Sequence, residues 1–309
     1  MMRTARLKAY AKLNLGLRVL YKRPDGYHEL RTVFQTISLA DRIDVTFERS
    51  RDTLIEIEGT PEIPDNLVAK AARLVLENLG IPARVHFRLG KKIPSGAGLG
   101  GGSSDAAAVL LALPVLAGKT LAPELLAGLA EQLGSDVPFF LHGGTALGLG
   151  RGEELYPLPD SPAARGLLVV PGIHSSTAEA YRTLSPRLTT IALQNKLFSF
   201  QQEVWQQAGV GGINDFEETV FSLHPALRHI KDRLRRCGAN PAVMTGSGSA
   251  IYGIFQDQEH LERAKKRFPD ERIFAISFVS RPQYRAAWRR MLSLHTKGDL
   301  WPPRSRYAR

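Results

Sequence analysis

The densest concentration of chemistry lies in Pro94-Ser-Gly-Ala-Gly-Leu-Gly-Gly-Gly-Ser-Ser-Asp105, which holds five glycines in the seven residues Gly96–Gly102. The run Ala106-Ala-Ala-Val-Leu-Leu-Ala-Leu113 follows at once, and Ala and Leu are strong helix formers. A helix is therefore expected near Ser103 or Ser104, with one of them as its N-cap. A glycine loop entering a helix offers unpaired backbone N–H groups and the positive end of the dipole, an anion site whose commonest guest is a phosphate. Three readings compete. A flexible linker need not abut a strong helix. Gly96, Gly98 and Gly101 satisfy the dinucleotide pattern G-x-G-x-x-G. The preceding Arg84-Val-His-Phe-Arg-Leu-Gly90 alternates, however, whereas the first strand of a dinucleotide fold reads as a continuous apolar run. The third reading is a nucleoside triphosphate loop outside the Walker A type, since G-x-x-x-x-G-K-[ST] occurs nowhere in the chain.

Other candidates are scattered. Ala11, Leu13, Leu15, Leu17 and Val19 alternate with Lys12, Asn14 and Arg18. On a strand, Lys12 and Asn14 then share one face, about 7 Å apart. By itself such a face is most simply solvated. Tyr27 and His28 follow the turn-forming Pro24-Asp-Gly26. They either pin that turn or present a flat ring and an imidazole to a base. Asp136, in Gly134-Ser-Asp-Val-Pro-Phe-Phe140, either caps a short helical turn with Pro138 near its start or supplies a carboxylate to a cleft. Gly246-Ser-Gly248 makes a glycine turn between two apolar runs, by itself an ordinary hairpin.

In order along the chain, these stretches resemble the three motifs of the GHMP kinases, the superfamily of galactokinase, homoserine kinase and mevalonate kinase. Arg23-Pro-Asp-Gly-Tyr-His-Glu-Leu30 is most similar to the diphosphocytidyl-methylerythritol kinases within it. The resemblance implies that ATP lies along Pro94, Ser95, Gly96, Ala97, Gly98, Leu99, Gly100, Gly101, Gly102, Ser103 and Ser104. It implies Asp136 as the catalytic residue with Lys12 beside it, and Asn14, Tyr27, His28, Thr177 and Tyr181 at the substrate. Gly246, Ser247 and Gly248 would lie near the phosphates. The implied reaction passes the γ-phosphoryl group of ATP, with Mg²⁺ carried on the nucleotide, to the 2-hydroxyl of a cytidine diphosphate-linked methylerythritol. Chemistry makes the same demand, because a carboxylate within reach accepts the proton of the attacking hydroxyl. Some superfamily members pair a loop Ser with a Glu on Mg²⁺; no Glu is assigned to that role here.

These residues need positioning elements. Strands are expected over Lys8–Leu20, Thr32–Phe47, Thr53–Glu58 and Val85–Leu89, with a helix over Leu67–Leu79 between Asp65-Asn66 and Gly80. A second helix should run from Pro123 to Leu133 and stop at Gly134. Gly143–Gly152 reads as a pair of strands with glycine turns. Beyond the linker Pro157–Pro162 come a buried strand at Gly166–Val170 and a helix capped by Ser175-Ser-Thr177. Two more helices should follow, one starting at Asn214–Glu217, then a helix over Glu259–Phe268 and a final strand Arg272–Val279. The resemblance implies an α+β, two-domain chain: residues 1–160 like domain 2 of ribosomal protein S5, residues 161–280 ferredoxin-like. Residues 281–309 fall outside the motifs, either unordered or docked as a helix through Tyr284, Trp288 and Leu292.

The 309 residues exceed what one core usually fills. A single cysteine, Cys237, excludes an intrachain disulfide and fits a reducing compartment. No apolar run approaches the ~20 residues of a membrane span, so a cytoplasmic protein without a membrane partner is expected. The net charge is +11, of which residues 281–309 carry +7. This concentration weakens the case for nucleic acid as partner. A monomer or a homodimer is expected. The rivals are a GHMP kinase for another small alcohol, such as homoserine or mevalonate, and a non-catalytic RNA-binding module.

Overall fold

The computed structural model of the protein describes residues 2–59, 65–188, 190–205 and 212–308. The chain opens with a long hairpin, β1 (Met2–Lys22) against β2 (His28–Arg49), turning at Pro-Asp-Gly. Along its other edge β2 pairs antiparallel with β4 (Ala83–Gly90) and then with β5 (Thr145–Gly150). A parallel β3 (Leu54–Glu58) and an antiparallel β6 (Glu154–Pro157) complete the sheet. Val85, Phe87 and Leu89 of β4 face the core, with more exposed residues between them. Four helices cover that face. They are α1 (Leu67–Leu79), α2 (Gly101–Ala117), α3 (Pro123–Leu133) and α4 (Val137–His142). The Asn66 side chain caps α1 by accepting from the Val68 N–H, and Gly80 ends it. Every residue of α2 from Ser104 to Ala117 is buried, as befits a central helix apolar on all sides.

The second sheet has the order β10-β7-β9-β8, antiparallel throughout. Its strands are β7 (Arg165–Val170), β8 (Ala242–Met244), β9 (Ile251–Phe255) and β10 (Arg272–Ser277). Between β7 and β8 lie α5 (Thr177–Leu184), α6 (Thr190–Trp205), α7 (Phe216–Leu223) and α8 (Pro225–Arg236). Helix α9 (Gln258–Lys265) joins β9 to β10. With these helices this is an elaborated ferredoxin-like β-α-β-β-α-β unit. Three helices follow α5, not the two expected. Pro225 starts a new helix after His224 and so divides α7 from α8.

Strand β1 threads the whole molecule. Its Leu7 and Ala9 belong to the helix-covered core, Ala11, Leu13 and Leu15 to a core shared by both sheets, and Leu17 and Val19 to the core of the second sheet. Register shifts fall between Tyr10 and Lys12, Asn14 and Gly16, and Val19 and Tyr21. The strict alternation expected for this strand is therefore broken, because a bulge re-aims the side chains after it. The tail, residues 281–309, begins with α10 (Arg281–Met291), which opens with a Ser280/Gln283 capping box. Tyr284, Trp288 and Leu292 are buried in the helix-covered core, so of the two tail readings it is the docked helix that the structure contains.

Candidate active site

The glycine loop sits where the two sheets meet. Helix α2 starts at Gly101, and its N-cap is Gly100 with φ of +69°, not Ser103 or Ser104. Glycine takes that left-handed conformation without a Cβ clash, so the turn needs no side-chain cap. The Ser104 hydroxyl instead donates to the Tyr10 carbonyl at 2.7 Å and ties α2 to β1. Ala97 and Leu99 are buried in the shared core, while Gly96, Gly98 and Gly100 line a cleft of about 910 Å³. The loop is thus pinned at alternate residues, and the unpinned ones are those without side chains. Its backbone also meets β1, where the Lys12 N–H donates to the Leu99 carbonyl at 3.1 Å.

Lys12 and Asn14 lie on no solvated face. They are 4% and 3% exposed: Phe34, the glycine loop at Gly100 and Asp136 crowd Lys12, while Thr32 and Thr245 bond Asn14. The Lys12 Nζ donates to Asn14 Oδ1 at 2.8 Å and lies 3.4 Å from Asp136 Oδ2. The Asn14 Nδ2 donates to the Thr32 hydroxyl at 2.8 Å, and the Asn14 N–H to the Thr245 hydroxyl at 3.1 Å. Asp136 directly precedes α4, yet its side chain makes no capping bond. Its carboxylate, about one-third exposed, instead faces Lys12 and the cleft.

At the other end of the cleft, His28 stacks on Tyr181 with ring centroids 4.6 Å apart and an angle of 22°. The His28 Nε2 shares a hydrogen bond of 2.6 Å with the Ser185 hydroxyl. Burial, and then the charge of Lys22, lowers the His28 pKa, which keeps the imidazole neutral near pH 7. Tyr27 is 55% exposed, with the Arg151 guanidinium 4.7 Å from its ring centroid. The Thr177 and Ser247 hydroxyls are 2.7 Å apart, and the Ser175 hydroxyl donates to the Ser247 carbonyl at 2.8 Å. These bonds lash the Gly246–Gly248 turn to the start of α5.

The cleft gathers Lys12, Asn14, Tyr27, His28, Gly96, Gly98, Gly100, Asp136, Thr177, Tyr181, Gly246, Ser247 and Gly248, from Lys12 to Gly248 along the chain, into one lining. Pro94 and Ser95 line a neighbouring groove instead, together with Gly96 and Ala97. Gly101, Gly102, Ser103 and Ser104 form the first turn of α2 outside the cleft lining. Sequence reasoning missed Thr32, Phe34, Arg151, His174 and Ser175, which also line it. Arg151 had a signal, since it interrupts the glycine-rich stretch that was read as purely structural.

Sequence reasoning also missed a buried charge cluster under the loop. The Lys91 ammonium bonds both Asp41 and Asp105, the latter at 2.6 Å. Asp41 Oδ1 accepts from the N–H groups of Lys92 and Ile93, at 2.5 and 2.8 Å. Burial, opposed by Lys91 and reinforced by Asp41, pushes the Asp105 carboxyl up to about 7. Asp136 is the only carboxylate lining the cleft among the described residues, and they contain no group of three or more His, Cys, Asp or Glu able to hold a metal.

Comparison with known proteins agrees with this geometry. The family model for the GHMP kinases N terminal domain matches residues 66–144, and that for GHMP kinases C terminal matches residues 200–272. The chain is 56% identical over 310 aligned residues to the 4-diphosphocytidyl-2-C-methyl-D-erythritol kinase of Solibacter usitatus, covering 99% of this chain and 98% of the relative. That match runs into residues 281–309, where the motifs did not reach. The enzyme of that name from Moorella thermoacetica is 43% identical, over 85% of this chain and 94% of its own. A crystal structure of 4-(cytidine 5'-diphospho)-2C-methyl-D-erythritol kinase superposes with a TM-score of 0.74 at 38% identity, covering 88% of this chain and 98% of the other. Homoserine kinase from Cytophaga hutchinsonii, at 20% identity and a TM-score of 0.68, shares the fold over 89% of this chain and 94% of its own. With both halves of the fold, all three loops and close relatives along nearly its whole length, the chain belongs to the GHMP kinases, in the branch of the 4-diphosphocytidyl-2-C-methyl-D-erythritol kinases.

Proposed function

We propose that the protein transfers the γ-phosphoryl group of ATP to the 2-hydroxyl of 4-diphosphocytidyl-2-C-methyl-D-erythritol, a step of isoprenoid biosynthesis. The observation that carries this reading is the polarity of the cleft. One end holds Tyr27, His28 and Tyr181, a surface of rings with a neutral imidazole suited to a base. The other holds the Lys12–Asp136 pair between two glycine turns. A cytidine diphosphate-linked alcohol spans such a cleft with its hydroxyl at the pair. Asp136 accepts the proton of the attacking hydroxyl. Lys12 holds that carboxylate in place and offsets charge on the transferring group. The glycine loop and the first turn of α2 present N–H groups to the nucleotide phosphates. The rate comes mainly from positioning and charge stabilisation, since phosphoryl transfer asks little covalent chemistry of the protein.

Mg²⁺ arrives with the nucleotide. It commonly keeps several waters and takes one or two carboxylates besides phosphate oxygens; no residue of this chain is assigned to it. The chain divides at the linker after Pro157 into an ATP-binding half, residues 1–160, and a second half, residues 161–280, followed by the tail 281–309. The protein works in the cytoplasm as a monomer or homodimer; among the described residues no helix is long and apolar enough to cross a membrane. The test is an ADP-release assay with the cytidyl substrate, mevalonate and homoserine in parallel. Turnover is expected with the cytidyl substrate alone. Turnover of mevalonate or homoserine without it would assign the site to another alcohol.

A further inference from the structure

Among the described residues, Asp136 is held by the contact of its carboxylate with Lys12 at 3.4 Å. It lies one residue outside α4, and neither its side chain nor a cap bond anchors it to that helix. Its position therefore follows the pose of α4. That helix has only six residues, too few to be stable alone, and its last carbonyls lack intrahelical partners. Two of these carbonyls are met from the tail. The Tyr284 hydroxyl donates to the Phe140 carbonyl at 2.5 Å, and the Trp301 Nε1–H donates to the Leu141 carbonyl at 3.1 Å. Tyr284 is buried against the rings of Tyr10, Trp288 and Trp301. Its ring packs over Gly143, the residue that ends α4, so closely that a Cβ there would lie 2.5 Å from it.

The Phe140 side chain of α4 reaches the glycine loop. A Cβ on Gly100 would lie 2.8 Å from the Phe140 ring and 3.3 Å from Lys12 Cγ. Phe140 thus packs against the glycine loop at Gly100, the residue that Lys12 also approaches. One short helix follows Asp136 and backs the loop, and its C-terminal end is held by residues 284 and 301.

We propose that Tyr284 and Trp301 are positioning residues for phosphoryl transfer, which clamp α4 from its C-terminal end and so hold the Asp136 carboxylate in register with Lys12. This rests on the reading of Asp136 as the proton acceptor. Neither tail residue lines the cleft, so the clamp acts on turnover and leaves the binding of substrates alone.

The test uses the full-length protein with Tyr284→Phe, Trp301→Phe and the two combined, each made in the wild-type and in the Asp136→Asn background. Tyr284→Phe removes one hydroxyl and keeps the buried ring. Folding is followed by circular dichroism and Tm, and kcat and both KM values by ADP release. In the wild-type background the combined variant should lose about tenfold or more in kcat, within the ~10²-fold that a 1 Å misplacement can cost. Both KM values should stay within about twofold. In the Asp136→Asn background the same changes should alter the residual turnover by less than about twofold, since the group they position is gone. Wild-type kcat in a folded combined variant overturns the proposal, whatever happens to Tm. An equal loss in both backgrounds also overturns it, because the tail would then act on the whole fold. Wild-type turnover in Asp136→Asn alone would overturn the underlying reading of the base, a result separable from either.

Discussion

Replacing Gly98 by alanine tests how the two glycine loops depend on each other. Gly98 has φ of +77°, a conformation that costs an L-residue about 1–2 kcal/mol. The added Cβ would also sit 2.2 Å from the Thr245 carbonyl oxygen and 3.0 Å from its carbon, where ordinary contact begins at 3.4 Å. The Thr245 backbone must therefore retreat by about 1 Å, enough to cost up to ~10²-fold in a positioned active site. It cannot retreat alone. The Thr245 hydroxyl accepts from the Asn14 N–H, and Asn14 in turn receives the Lys12 ammonium. Gly98→Ala is expected to cut kcat by about 10²-fold, raise the KM for ATP and lower stability by about 2 kcal/mol. Steady-state ADP release and urea denaturation measure these. Gly128→Ala is the control: Gly128 lies inside α3 with nothing within 4 Å of the added methyl, and should gain about 0.5–1 kcal/mol with unchanged kinetics. A folded Gly98→Ala protein with wild-type kcat and KM would refute the argument that contact between the loops sets the site.

Asp136→Asn should lower kcat by roughly 10²–10⁴-fold with both substrates still bound, and Lys12→Ala should also damage kcat. Their double mutant should be less than additive across the 3.4 Å contact; full additivity in a kcat cycle would show that the two do not act as a unit. Tyr27→Ala removes an exposed ring and should weaken the cytidyl substrate by roughly 1–3 kcal/mol, the scale of base–aromatic stacking, with ATP affinity nearly intact. Equal losses for both substrates in titration calorimetry would mark Tyr27 as structural. Asp105, raised from 3.8 to about 7 by burial, keeps its proton in the fold at pH values where the unfolded chain has lost it. Its contribution to stability is full below the ordinary value and falls as pH rises to about 7. Asp105→Asn should flatten that fall between about pH 4 and pH 7 in chemical denaturation. A wild-type protein with no such slope would contradict the buried-cluster geometry of Lys91, Asp41 and Asp105.

Much of the architecture was legible locally. Asn66 and Gly80 bracket α1, Pro123 and Gly134 bracket α3, and the alternation of Val85, Phe87 and Leu89 marks a strand covered on one side. Each signal arises from a few neighbouring residues, through capping, turn conformation or the two-residue period of a strand. The start of α2 was misread because Ser103 and Ser104 are good caps in isolation. The glycine before them turns the chain unaided, and Ser104 is needed by β1. For the tail, a helix docked through Tyr284, Trp288 and Leu292 was one of two readings, and its target was not legible, since the Phe140 carbonyl that Tyr284 meets lies 144 residues earlier in the chain.

The sequence by itself determined the kind of chemistry: a glycine loop entering a helix for phosphate, Tyr27-His28 beyond a turn, a carboxylate before Val-Pro-Phe-Phe. Only the tertiary structure decided which of these meet. Lys12 reads as a surface lysine on an alternating strand, and it is the fold that buries it, against Phe34 and the glycine loop with its ammonium facing Asn14 and Asp136. Lys91, ordinary in sequence, becomes a bridge between two buried carboxylates. The reason is physical. Caps, turns and periods are set by neighbours in sequence, whereas burial and charge pairing depend on residues a hundred or more positions away, brought together only when both sheets close on β1.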